Sequence, residues 1–227
     1  VTDPSNGTVT LADGVVTYTP TADYNGDDSF TYTVGDGTET ATGTISVTVT
    51  AVNDAPTASA GSIATSEDTA KKIDLSTLSD DVDEDTLTYT VAAPTNGKVE
   101  LSGGIVTYTP TADYNGDDSF TYTVSDGTET ATGTVSVTVT AFNDAPTASA
   151  GSIATTEDTA GTLDLSTLSS DVDGDTLTFT VTDPSNGTVT LADGVVTYTP
   201  TADYNGDDSF TYTVGDGTET ATGTISV

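Results

Sequence analysis

The 227 residues carry 36 acids against three lysines (Lys71, Lys72 and Lys98), a formal net charge of -33, and contain no Arg, His, Cys, Met or Trp. Such charge repels nucleic acid and anionic lipid, and without Cys or His there is no disulfide framework, no thiol nucleophile, no zinc site of the usual kind and no side chain titrating near neutrality. No apolar run approaches the roughly 20 residues that span a bilayer, so no direct membrane insertion is expected.

The stretch DYNGDDSF occurs three times, from Asp23, Asp113 and Asp203, at a constant spacing of 90 residues, which marks a tandem array. Residues 1 to 47 are identical to 181 to 227, whereas the middle copy differs, as in TNGKVELSGG against SNGTVTLADG, which allows a longer unit of 180 residues. The tetrapeptide NDAP at Asn53 and Asn143 marks the boundaries. Residues 1–53 then form the C-terminal half of a module plus linker, 54–143 a complete module, and 144–227 a module lacking its C-terminal linker. Both ends fall inside modules, so the chain is expected to be a window on a longer polymer. Completion of the half module by a neighbouring chain is the alternative.

In chain order, the complete module is expected to hold seven strands, near 57–65, 71–76, 86–92, 97–102, 105–110, 118–125 and 129–141. Their period is two: Leu87, Tyr89 and Val91 alternate with Thr, as do Phe120, Tyr122 and Val124, and Val135, Val137 and Val139 alternate with Ser and Thr. Turn residues separate them, with NG at Asn96, GG at Gly103 and SDG before Thr128. No segment has helical periodicity. The fold class predicted is all-β: tandem seven-strand antiparallel Greek-key β-sandwiches of immunoglobulin type, about 90 residues per repeat, without the Cys pair and Trp of antibody domains. A thin core is expected from Ile63, Ile73, Leu75, Leu78, Leu87, Val91, Tyr108, Phe120, Tyr122, Val124 and Val137. Such modules are only modestly stable alone, so a ligand of the folded state would matter.

The acids gather in loops, while outward strand positions are mostly Thr and Ser. Successive loops of a seven-strand sandwich alternate between its two ends. Glu67 and Asp68 of SEDT then share the C-terminal end with Asp113, Asn115, Asp117 and Asp118, whose first copies are Asp23, Asn25, Asp27 and Asp28. Asp81, Asp83 and Asp85 lie at the opposite end, as do Asp171, Asp173 and Asp175 of the next module. The linker pairs Asn53-Asp54 and Asn143-Asp144 fall between such clusters. Two carboxylates about 4 Å apart near a surface repel by roughly 4 kcal/mol at an effective dielectric of about 20, so the junctions call for cations. Ca²⁺, which takes about 6 to 8 oxygen ligands, fits better than Mg²⁺. Against this stand two plainer explanations. Asp and Asn are common turn formers, which suffices for Asp126 alone, and halophilic acidity solvates surfaces, although it should spread acids over the Thr-rich faces. DVDGD at Asp171 begins like a hand-type calcium loop but runs into a strand without a closing Glu, so it is a partial site. Tyr114 in PTADY is placed where a Tyr hydroxyl pins the corner of an immunoglobulin-like fold.

Through NDAPTASAGSIATSEDT, DVDEDTLTYTV, NGKVELSGGIVTYTP and DYNGDDSFTYTVSDGTETATGTVSVTVT, the repeats resemble the cadherin-like, immunoglobulin-like modules of giant bacterial surface adhesins of RTX type. That resemblance implies extracellular extender domains on a bacterial cell surface, rigidified by Ca²⁺ at linkers, that serve adhesion and biofilm formation. It matches Glu67 to the strand-A glutamate of cadherins, Asn53-Asp54 and Asn143-Asp144 to their linker motif, and Asp81 with Asp83 to their D-x-D pair. Ala51 and Ala55 depart from the cadherin linker, and GDDS from its acidic turn, so the number of ions per junction does not carry over.

The leading functional expectation is a non-catalytic spacer stiffened by Ca²⁺, whose partners are the neighbouring modules of its own chain. The alternative is a structural subunit of an extracellular filament, sheath or surface layer, with other copies as lateral partners. Carbohydrate hydrolysis by paired carboxylates is disfavoured, because no cleft-forming insertion or aromatic platform appears. Lys to Asn isopeptide crosslinking fails because the visible parts of the other modules have no lysine.

Overall fold

A computed structural model describes all 227 residues. By its contacts the chain divides into two compact units, residues 1–65, 70–109 and 117–138 in the first and 66–69, 110–116 and 139–227 in the second. Alternate side chains point to opposite faces of a strand, and the sequence exploits this. Along Thr130–Thr140, Val135, Val137 and Val139 are buried while Thr134, Ser136 and Thr138 are exposed.

The strands of residues 57–140 belong to the first unit apart from a few terminal residues. Gly61–Ser66, Thr130–Thr140, Gly116–Ser125 and Thr88–Val91 are neighbours, in that order, in a four-stranded sheet. Gly97–Ser102, Ile105–Pro110 and Lys71–Asp74 form a three-stranded one. Register sets Tyr122 opposite Val91, Val124 opposite Tyr89, and Val106 opposite Ile73. Leu75, Val106, Tyr108, Phe120, Tyr122, Val124, Val135 and Val137 are buried between the sheets. The Tyr122 ring lies over Gly133, where a Cβ would stand 2.4 Å from Cε1, so the glycine is what admits the ring. Its hydroxyl donates to the carbonyls of Ser59 (2.7 Å) and Leu78 (3.0 Å). Residues 7–49 of this unit form two hairpins, Gly7–Ala12 with Val15–Pro20 and Gly26–Gly35 with Thr40–Val49.

In the second unit the same sheets recur, Gly151–Ser152, Thr220–Ser226, Ser209–Gly215 and Thr178–Val181 against Gly161–Asp164, Val195–Pro200 and Gly187–Ala192. Ile153, Leu165, Val196, Tyr198, Phe210, Tyr212, Val214 and Ile225 make its core.

The all-β sandwich matches expectation, with three refinements. The first strand is split: Thr57–Ala58 pairs with Ser79–Asp80, and the chain then crosses to the other sheet as Gly61–Ser66. Having crossed, it runs in the same direction as the last strand, so that pairing is parallel, as between Gly151–Ser152 and Ile225–Ser226. The second strand stops at Asp74, whose carboxylate accepts from the Ser76 amide (3.0 Å) and hydroxyl (2.7 Å) and caps a 3₁₀ turn over Leu75–Thr77. Ile73, Leu78, Leu87 and Val91 are half-buried rather than buried.

Candidate metal centre

The acidic turn DYNGDDSF divides its side chains between two jobs. Asp118 Oδ2 accepts from the Asn96 amide (2.9 Å) and the Tyr108 hydroxyl (2.9 Å), and Oδ1 accepts from the amides of Ser119 (2.8 Å) and Thr95 (3.2 Å). Asp28 and Asp208 hold the same partners in their repeats, including the hydroxyls of Tyr18 and Tyr198 at 3.0 Å. Burial works against the charge on Asp118, but the amides of Ser119 and Asn96, the Tyr108 hydroxyl and the Thr95 amide outweigh it and hold the carboxyl below its usual range. These carboxylates clamp the start of the fourth expected strand onto the sixth. Asp27 and Asp117 lie on the exposed sheet surface, accepting from Thr48 (2.9 Å) and Thr138 (3.4 Å).

Asp113 does something else. Within the second unit, Asp68, Asp113 and Asp144 each offer a carboxylate oxygen, all within 4.8 Å of one another. Asp68 and Asp113 both have positive φ, 56° and 57°, a region that Asp tolerates better than most residues but seldom occupies without cause. The Asp113 amide donates to Asp68 Oδ1 (3.4 Å), which ties the two turns together. The amide of Asp144 donates to Asp173 Oδ2 (2.8 Å), and that of Phe142 donates to Glu67 Oε1. Asp171, Asp173 and Asp175 form a second cluster, with the Asp175 amide on Asp171 Oδ1 (3.2 Å). Asn143 turns its Nδ2 to Asp216 Oδ2 (3.0 Å) and to the Asp144 carbonyl (3.3 Å), which fixes the linker. Asn115 lines a cleft of about 450 Å³ with Asp113, Phe142, Asn143, Val172, Asp173 and Asp175.

The first unit repeats half of this set around the first linker. Asp81, Asp83 and Asp85 cluster, the Asp54 amide donates to Asp83 Oδ2 (2.7 Å), and Asn53 Nδ2 donates to Asp126 Oδ2 (2.9 Å). Asp23 and Asp54 line a neighbouring cavity with Asp83, while Asn25 stands exposed at its rim. No counterpart of Glu67 and Asp68 precedes Val1, so this linker gathers fewer carboxylates.

Four carboxylate oxygens are buried without a hydrogen-bond partner: Glu67 Oε2, Asp81 Oδ2, Asp144 Oδ2 and Asp171 Oδ2. Buried anionic oxygens are normally paired. The one ion pair of the chain joins Lys98 to Glu100 (3.2 Å), both largely exposed. Desolvation raises the pKa of Asp144, and the charges of Asp113, Asp173, Asp68 and Glu67 raise it further. Desolvation likewise raises Asp54, reinforced by Asp83, Asp23, Glu129 and Asp81. Hard, all-oxygen donors with uncompensated charge and no nitrogen or sulfur among them suit Ca²⁺, so the residues present fit that ion.

Sequence reasoning assigned Asp126 to turn geometry alone, yet Asp126 and Asp216 are also the anchors of the linker asparagines. Neither is adjacent to its asparagine in sequence, which hid the pairing. The end of the third module, absent from the expected sites, repeats the tie between turns, with the Asp203 amide on Asp158 Oδ1 (3.2 Å). Here the 90-residue period was the available signal. The Tyr24 and Tyr204 hydroxyls donate to the carbonyls of Asp27 (2.8 Å) and Asp207 (2.7 Å), three residues onward, and so brace the turn from within.

Residues 1–48, 53–138 and 143–227 each match the family model of the bacterial Ig domain, Big_9. Among curated proteins none matches. Of solved structures, the mouse protocadherin-24 EC1-3 fragment aligns with a TM-score of 0.52 at 18% identity, over 97% of this chain and 86% of that one. Cadherin domains 1-4 of protocadherin gamma B7 align at 0.54 and 13%, over 98% and 64%. These likenesses show a shared fold. An endo-fucoidan hydrolase of glycoside hydrolase family 107, MfFcnA4, aligns at only 0.38 and 24% identity. This chain spans 37% of that enzyme's length, and the match carries no argument for hydrolysis.

Proposed function

This chain belongs to the bacterial Ig domain family, and we propose that it is a run of non-catalytic extender modules of a bacterial surface adhesin, outside the cell, whose junctions are stiffened by Ca²⁺. The observation that carries this reading is the set of buried, unpartnered carboxylate oxygens on Glu67, Asp144 and Asp171 at one linker, with no cation of the protein to offset them. Glu67, Asp68, Asp113, Asp144, Asp171 and Asp173 would hold the ion there. Asp23, Asp54, Asp81 and Asp83 would form the sparser counterpart at the first linker. Bound Ca²⁺ supplies positive charge and an oxygen-hungry coordination sphere. The chain's own contribution is to aim turns from two modules and the linker at one place, so that the ion fixes the angle between neighbours. Modules bounded at 54–143 and 144–227 are the units so joined. Adhesion and biofilm support follow as the use of such a spacer, which holds a distal binding domain away from the cell.

For extracellular modules affinities fall on the order of 10⁻⁴ to 10⁻³ M. At about 10 mM Ca²⁺ the folded state then gains about 1.4 to 2.7 kcal/mol. For modules of this size that raises melting by roughly 6 to 20 °C. Small-angle scattering and calorimetry with 10 mM Ca²⁺ and with chelator test this. Equal maximum dimension and equal melting temperature in the two conditions would refute it.

A further inference from the structure

Residues 1–47 and 181–227 are identical in sequence but not in exposure. In the third module Val196, Tyr212, Val214 and Ile225 are all 0% exposed. Their counterparts Val16, Tyr32, Val34 and Ile45 are 37%, 39%, 60% and 41% exposed. What covers the third module is its own front half. Thr178–Val181 pairs with Ser209–Gly215, Gly161–Asp164 with Val195–Pro200, and Gly151–Ser152 with Thr220–Ser226. Ile153 and Leu165 are buried in the same core. The Tyr212 hydroxyl donates to the carbonyls of Ser149 (2.8 Å) and Leu168 (3.3 Å) of that front half. On residues 1–47 the same apolar face and the same strand edges stand open, as two hairpins side by side in sequence.

We propose that residues 1–47 are a docking surface for a separate polypeptide carrying the front-half sequence of residues 143–180, which would complete the sandwich by strand addition. The occupant follows from identity: a surface of the same residues is covered by that segment within this structure, so the complementary shape, edge pairing and hydroxyl acceptors are all known. Edges that present unpaired amides and carbonyls are templates for such pairing. Stoichiometry excludes a second copy of this chain as the occupant. Each chain has three back halves, beginning near residues 1, 91 and 181, and two front halves, beginning at 54 and 144. Exchange among copies therefore leaves one back half per chain uncovered. The proposal does not depend on calcium at the linkers.

A synthetic peptide of residues 143–180 titrated into the full chain tests it, read by calorimetry and by hydrogen exchange. One-to-one binding is expected, with new protection of the Tyr32, Val34 and Ile45 amides. Val34→Asp, at a site already exposed and so compatible with folding, should weaken binding by about tenfold or more, because the charge would be buried on docking. A peptide carrying Leu165→Asp should fail likewise. No binding, binding undiminished by V34D, or dimers of the peptide-free chain that V34D dissolves would each overturn the proposal, the last by showing that two half modules cover each other.

Discussion

Replacing Asp118 by Ala separates the structural carboxylates from those assigned to the ion. The substitution removes four accepted hydrogen bonds. The amides of Thr95 and Ser119 are exposed and can turn to water, so their loss costs little. The Asn96 amide and Tyr108 hydroxyl are half-buried, and each stranded donor costs about 1 to 3 kcal/mol. A loss of about 2 to 5 kcal/mol follows, against a typical total of about 5 to 15 kcal/mol for a domain. Unfolding of the middle module in chelator, followed by hydrogen exchange at the Tyr122 and Val124 amides, should then fall by at least about 10 °C. Tyr108→Phe alone should cost about 0.5 to 1.5 kcal/mol, and the double variant less than the sum, because the two groups share one bond. Calcium affinity at the linker should be unchanged wherever the module remains folded. An Asp118→Ala chain that melts like the parent in chelator yet loses calcium binding would show that this carboxylate serves the ion, and the division of the turn proposed here would collapse.

The opposite pattern is expected for Glu67→Gln and for Asp144→Asn: calcium affinity falls by about tenfold or more, while melting in chelator stays level or rises as repulsion is relieved. Isothermal titration with parallel thermal melts checks this, and a drop in metal-free stability with normal affinity would count against a ligand role. The response to pH follows from shifts of opposite sign. Desolvation and four neighbouring acids raise Asp144, so the folded metal-free chain takes up protons more readily there than the unfolded one, and mild acidification stabilises it. Asp118, Asp208 and Asp216 are held below the ordinary range, so their stabilisation is full above the unfolded carboxylate pKa and is lost only as pH falls through the lower folded values. Melting in chelator should therefore rise slightly before it falls on acid titration, and the increment due to calcium should shrink over the range where Asp144 takes up its proton. An increment that persists unchanged after that carboxyl is protonated would exclude it as a ligand.

Much of this was legible in the residues because short-range rules wrote it. Period-two alternation placed the strands, turn dipeptides separated them, and the 90-residue repeat aligned the loops. The gathering of Asp68, Asp113 and Asp144 is foreshadowed by the alternation of loops between the ends of a sandwich. What stayed hidden depends on donors brought from elsewhere. Asp113 and Asp118 sit five residues apart in one acidic turn, and nothing local distinguishes them; the Thr95 and Asn96 amides, more than 20 residues upstream, claim one and leave the other. Asp126 looked sufficient as a turn former, and its amide bonds from Thr128 and Glu129 (both 2.6 Å) bear that out. Its second oxygen, however, takes Asn53. The split of the first strand was equally silent, since Ser59 and Ala60 carry no breaker and the crossing is imposed by the sheets on either side.

The tie between Asp203 and Asp158 repeats the one between Asp113 and Asp68, and this regularity bears on how such a gene can change length. A recombination event that inserts or removes 90 codons joins one repeat's turn pair to another repeat's linker and DxD loop, and so regenerates a complete junction whichever copies are spliced. An event out of step with that interval leaves carboxylates facing each other without the set that neutralises them. Length can thus drift in whole periods at little mechanical risk, while intermediate lengths are selected against by the electrostatics of the joint itself.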